Sequence, residues 1–274
     1  DQDTDSFWKF YYSYVDSYNL NYWVDLLDEY LLANIDINTL KELEKLAQKC
    51  AYKRRKIKDI SFFLPKTSKI IKEYLLKYSN NGVFMKLTDK SGKYSKKPIP
   101  IFHLVDIVNN IIHNKDLVKS LSRHQDKSCL LLTPWRYEID KYNEFRVIII
   151  DRFISGISQQ QCYKYVNLTE ERVIQYSKSI QKFYNKKKEK IPYNSCVLDV
   201  WVDDDLNTHL IEINAGEMWC SSGSSLFNWI NDRKKLYQKS TTYVRYIDIK
   251  SPLISSKTSS ICSNDSFGIG SVNL

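Results

Sequence analysis

The sequence predicts an α+β fold entered through a helical N-terminal arm. Three observations carry that expectation. Ser195 to Asn214 reads as strand, turn, strand, with β-branched and aromatic arms around the turn cluster Asp203-Asp204-Asp205-Leu206-Asn207. Asn143 to Ile150 is the strongest strand signal in the chain, and Phe153 to Ser158 returns beside it across Asp151-Arg152. Elsewhere, apolar residues recur at helical spacing, most clearly over 101–121 and 167–187.

The elements follow in chain order. Residues 6–32 are heavily aromatic, and Trp23, Leu26, Leu27, Tyr30 and Leu31 keep helical spacing, a stripe that reads as core. Residues 38–56 form a helix with Leu40, Leu43, Leu46 and Ala47 on its apolar face. Its closing run, Lys53-Arg54-Arg55-Lys56, complements the helix dipole. Lys66 to Tyr78 is a third helix after Pro65, with Thr67 or Ser68 as N-cap. Asn80-Asn81-Gly82 turns into the strand Val83-Phe84-Met85-Lys86-Leu87, and a polar, basic loop spans 88–98. In the helix 101–121, Leu104, Ile107, Val108, Ile111 and Ile112 share one face. Ser128 to Leu132 is a strand whose exit, Thr133-Pro134-Trp135, is stiffened by proline. The helix 167–187 opens with Thr169-Glu170-Glu171 and closes in lysines. Ser221 to Ser225 is a Gly/Ser loop and Leu226 to Tyr237 a short helix. The Ser-rich stretch 251–274 has too few bulky residues to order itself.

Composition narrows the function classes. A 274-residue chain with 43% hydrophobic and 27% charged residues is that of a globular protein with a substantial core. The six cysteines, at 50, 129, 162, 196, 220 and 262, form no CxxC, so neither zinc nor a disulfide framework is expected and a reducing, cytoplasmic setting is. No apolar run approaches the roughly 20 residues of a membrane helix, and no signal peptide is visible. The net charge of +9 is uneven: residues 1–45 carry −7, which leaves +16 for the remainder. A basic body suits nucleotide phosphates, nucleic acid or an acidic protein surface, or is simply a solvated lysine-rich face.

The candidate chemistry centres on the hairpin. Closing it on 203–207 sets Asp199 opposite Glu212, with Asn214 projecting from the same face. Leu198, Val200 and Val202, facing Ile211 and Ile213, make the other face apolar. Two carboxylates across a strand pair repel each other. A cation between them reverses the sign, and an all-oxygen ligand set beside substrate phosphates suits Mg²⁺; the plain alternative is an exposed polar face. Lys86, in apolar company, must reach solvent or meet an anion. Arg146 shares a strand face with Glu144 and is suited either to bidentate phosphate contact or to a structural pair with that glutamate. Asp203, Asp204 and Asp205 read as a turn, and His103, His113, His124 and His209 as structural or surface residues. There is no G-x-S-x-G, Walker A or G-x-G-x-x-G sequence.

A lysine strand, a basic loop, a strand-to-proline hinge, an arginine strand and a carboxylate hairpin follow one another. That order resembles an ATP-grasp fold, in which two α+β lobes hold ATP between them. More closely, the chain resembles the cell division cycle protein 123 family. The matching pieces are Gly82-Val83-Phe84-Met85-Lys86-Leu87, Leu131-Leu132-Thr133-Pro134-Trp135, Glu144-Phe145-Arg146-Val147 with Gly156-Ile157-Ser158-Gln159, Leu198-Asp199-Val200-Trp201-Val202, Leu210-Ile211-Glu212-Ile213-Asn214 and Ser225-Leu226-Phe227-Asn228-Trp229. The resemblance implies ATP and Mg²⁺ as cofactors. It implies that Lys86, Arg146 and the neighbouring Glu144 belong to the ATP site, that Leu132, Thr133, Pro134 and Trp135 meet the adenine through backbone groups, and that Asp199, Glu212 and Asn214 hold the metal. It also implies a nucleotide-dependent assembly factor for the gamma subunit of eukaryotic translation initiation factor 2, or a related partner. This sequence departs from the family at Thr88-Asp89-Lys90-Ser91-Gly92-Lys93-Tyr94, where a Ser-Ser-Pro-Lys/Arg-Asp run is usual. It departs again at Glu212, where Asp is more usual, and at Ala215-Gly216 in place of Pro-Phe.

The expected organisation is a helical arm with part of the first lobe over 1–78, the first lobe over 79–135, the second lobe with the Mg-nucleotide site over 136–238, and a mostly disordered extension over 239–274. A monomer is expected. An active ATP-dependent ligase or phosphotransferase is the rival reading. RNA binding by the basic body is a third and is not favoured.

Overall fold

The structure, a computed structural model, describes residues 10–11, 13–14, 17–51, 65–88, 90–91, 93–94, 97–123, 128–141, 143–160, 168–216, 223–247 and 269–273. The chain divides into two compact units. One is built from 19–24 and 29–136; the other runs from 137 onward and takes in 25–28 and the described residues up to 18.

The first unit holds a four-stranded antiparallel sheet in the order β1 (Leu31–Asn34), β6 (Cys129–Pro134), β2 (Val83–Leu87), β3 (Lys90–Ser91). Helices Ile37–Ala51, Pro65–Lys77, Leu104–His113 and Lys115–Arg123 accompany it. Leu40, Leu43, Ile71, Leu75, Ile107 and Ile111 from the helices share one core with Met85, Leu87, Leu130 and Leu132 from the strands. The helical spacing over Trp23 to Leu31 does not give a helix. It gives two short 3-10 turns, Leu20–Tyr22 and Val24–Leu26, and then β1. Leu31 and Leu32 are good helix formers, but β6 offers them a strand edge, with Leu31 opposite Leu132, and pairing overrides propensity. The expected single helix over 101–121 breaks at Asn114, whose backbone is extended (φ −108°, ψ 108°). Its side-chain oxygen accepts from the amide of Asp116 at 3.0 Å and so starts the second segment. Pro65 opens its helix, which leaves Thr67 and Ser68 inside the helix rather than at its cap. The loop 88–98 contains β3 and a small antiparallel pair, β4 (Lys93–Tyr94) with β5 (Lys97–Pro98). Lys53 to Lys56 lie outside the described residues.

The second unit holds a six-stranded sheet in the order β10 (Thr208–Ala215), β9 (Cys196–Val202), β7 (Glu144–Ile150), β8 (Phe153–Gln159), β11 (Tyr243–Ile247), β12 (Ile269–Asn273). Neighbours are antiparallel except β8 and β11, which run parallel. Asp151 and Arg152 close the β7–β8 hairpin, both at positive φ (47° and 66°), as the twist of a tight two-residue hairpin demands. Helix Glu170–Lys187 is capped by Thr169, whose hydroxyl accepts from the Arg172 amide at 3.2 Å. Its buried Val173, Tyr176, Ile180 and Tyr184 face inward, and Tyr176 meets Phe145 of β7 edge-on at 5.5 Å. Within the expected C-terminal extension 239–274 lie β11 and β12, while residues 248–268 lie outside the described ones. Helix 226–237 is helical only over Arg233–Tyr237. Among the described residues no helix is long and apolar enough to cross a membrane.

Candidate functional site

The register of the six-stranded sheet aligns Arg245 of β11, Ser158 of β8, Arg146 of β7, Asp199 of β9 and Glu212 of β10 in one row. Residues opposite one another share a face, so five polar or charged side chains cross the sheet together. Asp199 is opposite Glu212 as the hairpin geometry requires, but through a bulge. Leu210 pairs with Val200 and Glu212 with Asp199, which leaves Ile211 as the extra residue. Without that insertion Glu212 would point to the apolar face. Leu210, not Ile211, therefore stands opposite Val200, and Ile211 is only half-buried.

Arg146 grips the Asp199 carboxylate with a fork: Nε donates to Oδ1 at 2.7 Å and Nη2 to Oδ2 at 2.8 Å. Asn214 also donates to Asp199 Oδ2, at 3.2 Å, which places all three predicted groups of the hairpin on one face. The third arm of Arg146, Nη1, donates to the Gly223 carbonyl at 2.8 Å. Both side chains of the pair are largely buried, at 15% and 9% exposure. Burial pulls the guanidinium's proton affinity down. The hydrogen bond and charge of Asp199, and then the charges of Glu212 and Glu144, more than offset this and raise it above the usual arginine value. One guanidinium thus stands among three carboxylates. The two readings of Arg146 and Glu144 meet here in a different form, since the bidentate partner is Asp199.

This donor set fits a hard divalent cation. It is oxygen-only and carries more negative than positive charge, and its Asp199 already holds a cationic group. Among the described residues no three His, Cys, Asp or Glu side chains cluster for a metal, so the set rests on two carboxylates and an amide.

Sequence reasoning missed the loop beside the row. Leu226 N donates to Ser158 Oγ at 2.9 Å, and Ser225 Oγ donates to Gln160 at 2.7 Å. Arg245 donates to the Leu226 carbonyl and forks onto Asp232 with two bonds of 2.6 Å. Phe227 packs over Gly156, where a Cβ would come within 2.9 Å of its ring. The Gly/Ser composition of 221–225 signals a loop but not that the Gly223 carbonyl serves Arg146 or that the carbonyl of the next residue, Leu226, serves Arg245. Ser221 and Ser222 lie outside the described residues. Gly216 abuts the Cys196 backbone so closely that a Cβ would sit 2.4 Å away.

In the other unit, Lys86 is buried at 5% exposure on β2, with its Nζ 5.4 Å from the centre of the Trp23 ring. Trp23 carried no signal beyond its aromatic neighbours. Leu132, Thr133 and Pro134 lie on β6, paired with Met85, Phe84 and Val83 on one side. On the other side β1 stops at Leu132, so among the described residues Thr133 and Pro134 have no strand partner on that edge. Trp135 donates its backbone N–H to the Gly82 carbonyl at 3.0 Å. His209 has a structural role as expected: it stacks on Trp201 at 4.4 Å and bridges Asp28 and Asp203 at 2.6 and 3.1 Å. Cys129 and Cys196 are buried thiols; Cys129 Sγ donates to Asn34 Oδ1 at 3.2 Å, and burial pushes the Cys196 thiol up to about 12.

A family model described as D123 matches residues 46–265. No curated protein matches the chain. Among solved structures, C-terminally truncated Cdc123 from Schizosaccharomyces pombe is similar at 15% identity and a TM-score of 0.61, over 81% of this chain and 91% of that one. Cdc123 from the same organism matches at 16% identity and a TM-score of 0.60, over 81% and 92%. A RimK domain ATP-grasp protein from Sphaerobacter thermophilus DSM 20745 is more distant, at 8% identity, a TM-score of 0.35, and 72% and 56% coverage. The likeness to the first two is one of fold.

Proposed function

The chain belongs to the D123 family, and from that premise we propose that it binds Mg-ATP and uses the bound state to engage a protein partner. Its fold is α+β and ATP-grasp-like. The observation that carries the reading is Arg146 set among Asp199, Glu212 and Glu144 with Asn214 alongside: a surplus of carboxylate beside a fork fitted to phosphate. In this reading Asp199, Glu212 and Asn214 hold Mg²⁺, which supplies neutralising charge to the phosphates. Arg146 and Lys86 contact phosphate oxygens, and the burial of Lys86 on an apolar strand supports giving it an anionic ligand. The backbone of Leu132 to Trp135 receives the adenine, which the edge left by β1 beyond Leu132 supports.

The partner we propose is the gamma subunit of eukaryotic translation initiation factor 2 or a protein related to it, supported by family membership. The opposed charges of residues 1–45 and the remainder give either sign of surface for docking. The test is capture of purified gamma subunit by the immobilised protein with Mg-ATP or with EDTA. Capture that needs Mg-ATP, without steady ATP hydrolysis, is the expected result. Hydrolysis that Asp199→Ala abolishes, with no capture, would make the protein an enzyme instead.

A further inference from the structure

Asp199 cannot serve a metal and Arg146 equally. Its carboxylate has lone pairs for both, but a divalent cation and a guanidinium on one carboxylate repel with twice the strength of a unit pair. Arg146 cannot simply leave, because it is largely buried and would lose its only bidentate anion among the described residues. It needs a replacement with the same two-oxygen geometry, and a phosphate group has it. The Gly223 carbonyl, held through the loop by Ser158 and Arg245, keeps Nη1 in place while the other two nitrogens change partner. Gly223 allows this close approach: a Cβ there would lie 3.1 Å from Nη1.

We infer that Arg146 is a resident counter-ion that masks Asp199, released to a divalent cation only when a phosphate-bearing ligand takes over the guanidinium. The inference rests on the nucleotide reading above and adds an order to it: metal alone is excluded, and metal with phosphate is admitted. Binding of each then strengthens binding of the other.

Equilibrium dialysis tests this with three probes: Mn²⁺ alone, Mn²⁺ with ATP, and ATP with EDTA, each against wild type, Arg146→Met and Arg146→Lys. Wild type is expected to retain Mn²⁺ at least tenfold more tightly with ATP than without. Arg146→Met, with no competing charge, is expected to retain Mn²⁺ alone at least tenfold more tightly than wild type, and to be stabilised against heat by Mn²⁺ alone. Arg146→Lys keeps the charge but not the fork and falls between. If Arg146→Met does not fold, Arg146→Lys carries the comparison. Wild type that binds Mn²⁺ alone as tightly as with ATP overturns the inference, as does a failure of both variants to gain Mn²⁺. Uptake of Mn²⁺ by the variants, with no uptake of Mn²⁺ and ATP together by wild type, supports the masking and overturns the nucleotide reading.

Discussion

Two arginine–aspartate pairs stand on the six-stranded sheet, and Ser158 lies between the two arginines in register. Each is a bidentate fork, and their burial is alike: 14% and 7% exposure for Arg245 and Asp232, 15% and 9% for Arg146 and Asp199. The difference is in the company each keeps. Asp232 also accepts the Asn228 amide, and Arg245 lies over the Phe227 ring and donates to the Leu226 carbonyl. That pair is balanced one to one and pins a loop. Arg146 instead answers to three carboxylates: Asp199 on the adjacent β9, Glu144 on its own strand and Glu212 on β10, one strand further out. Burial alone therefore does not separate the two pairs; local charge balance does, and on the proposed function that surplus of carboxylate is what suits Arg146 to a ligand.

The comparison can be broken by mutation. Asp232→Ala leaves Arg245 buried without its anion, and about 3–5 kcal/mol of stability should be lost in urea unfolding. Replacing both partners, by Arg245→Met with Asp232→Leu, should recover most of that. Asp199→Ala should cost less, about 1–3 kcal/mol, because Glu144 and Glu212 still face Arg146. A larger loss for Asp199→Ala than for Asp232→Ala would reverse the assignment of roles.

The smallest effect is expected at the hairpin turn. Asp203 accepts from the Asn207 amide at 2.7 Å and pairs with His209. Burial, the largest single effect, pushes its carboxyl up, but the Asn207 amide, His209 and the Asn207 side chain together hold it below the ordinary aspartate value. A depressed folded-state value stabilises above the unfolded value and is lost as pH falls through the folded one. Asp203→Asn should thus cost about 0.5–1 kcal/mol near neutrality, a difference that shrinks as the solution is acidified below the aspartate range.

Much of this site was legible in the sequence because the hairpin is local. A turn dense in Asp and Asn fixes the pairing, and pairing fixes which side chains meet. What was not legible was the bulge at Ile211, the one extra residue between the Leu210–Val200 and Glu212–Asp199 pairs. The fork from Arg146 to Asp199 joins strands far apart in sequence, and nothing in the local pattern chose Asp199 over Glu144 as its partner. β12, built from Ile269-Gly270-Ser271-Val272-Asn273, has weak strand propensity and exists through its pairing with β11. Tyr243-Val244-Arg245-Tyr246-Ile247 alternates as a strand should, with Val244 and Tyr246 buried, so this element is readable from its sequence.

The central claim is that the row through Arg146, Asp199 and Glu212 binds nucleotide through a divalent cation. Isothermal titration calorimetry with ATP, in Mg²⁺ and in EDTA, tests it most directly on wild type and Asp199→Ala. The account predicts saturable binding by wild type in Mg²⁺, at least tenfold weaker binding in EDTA, and loss of the Mg²⁺-dependent part in Asp199→Ala. No binding to wild type in Mg²⁺, or binding that neither EDTA nor Asp199→Ala alters, would contradict it.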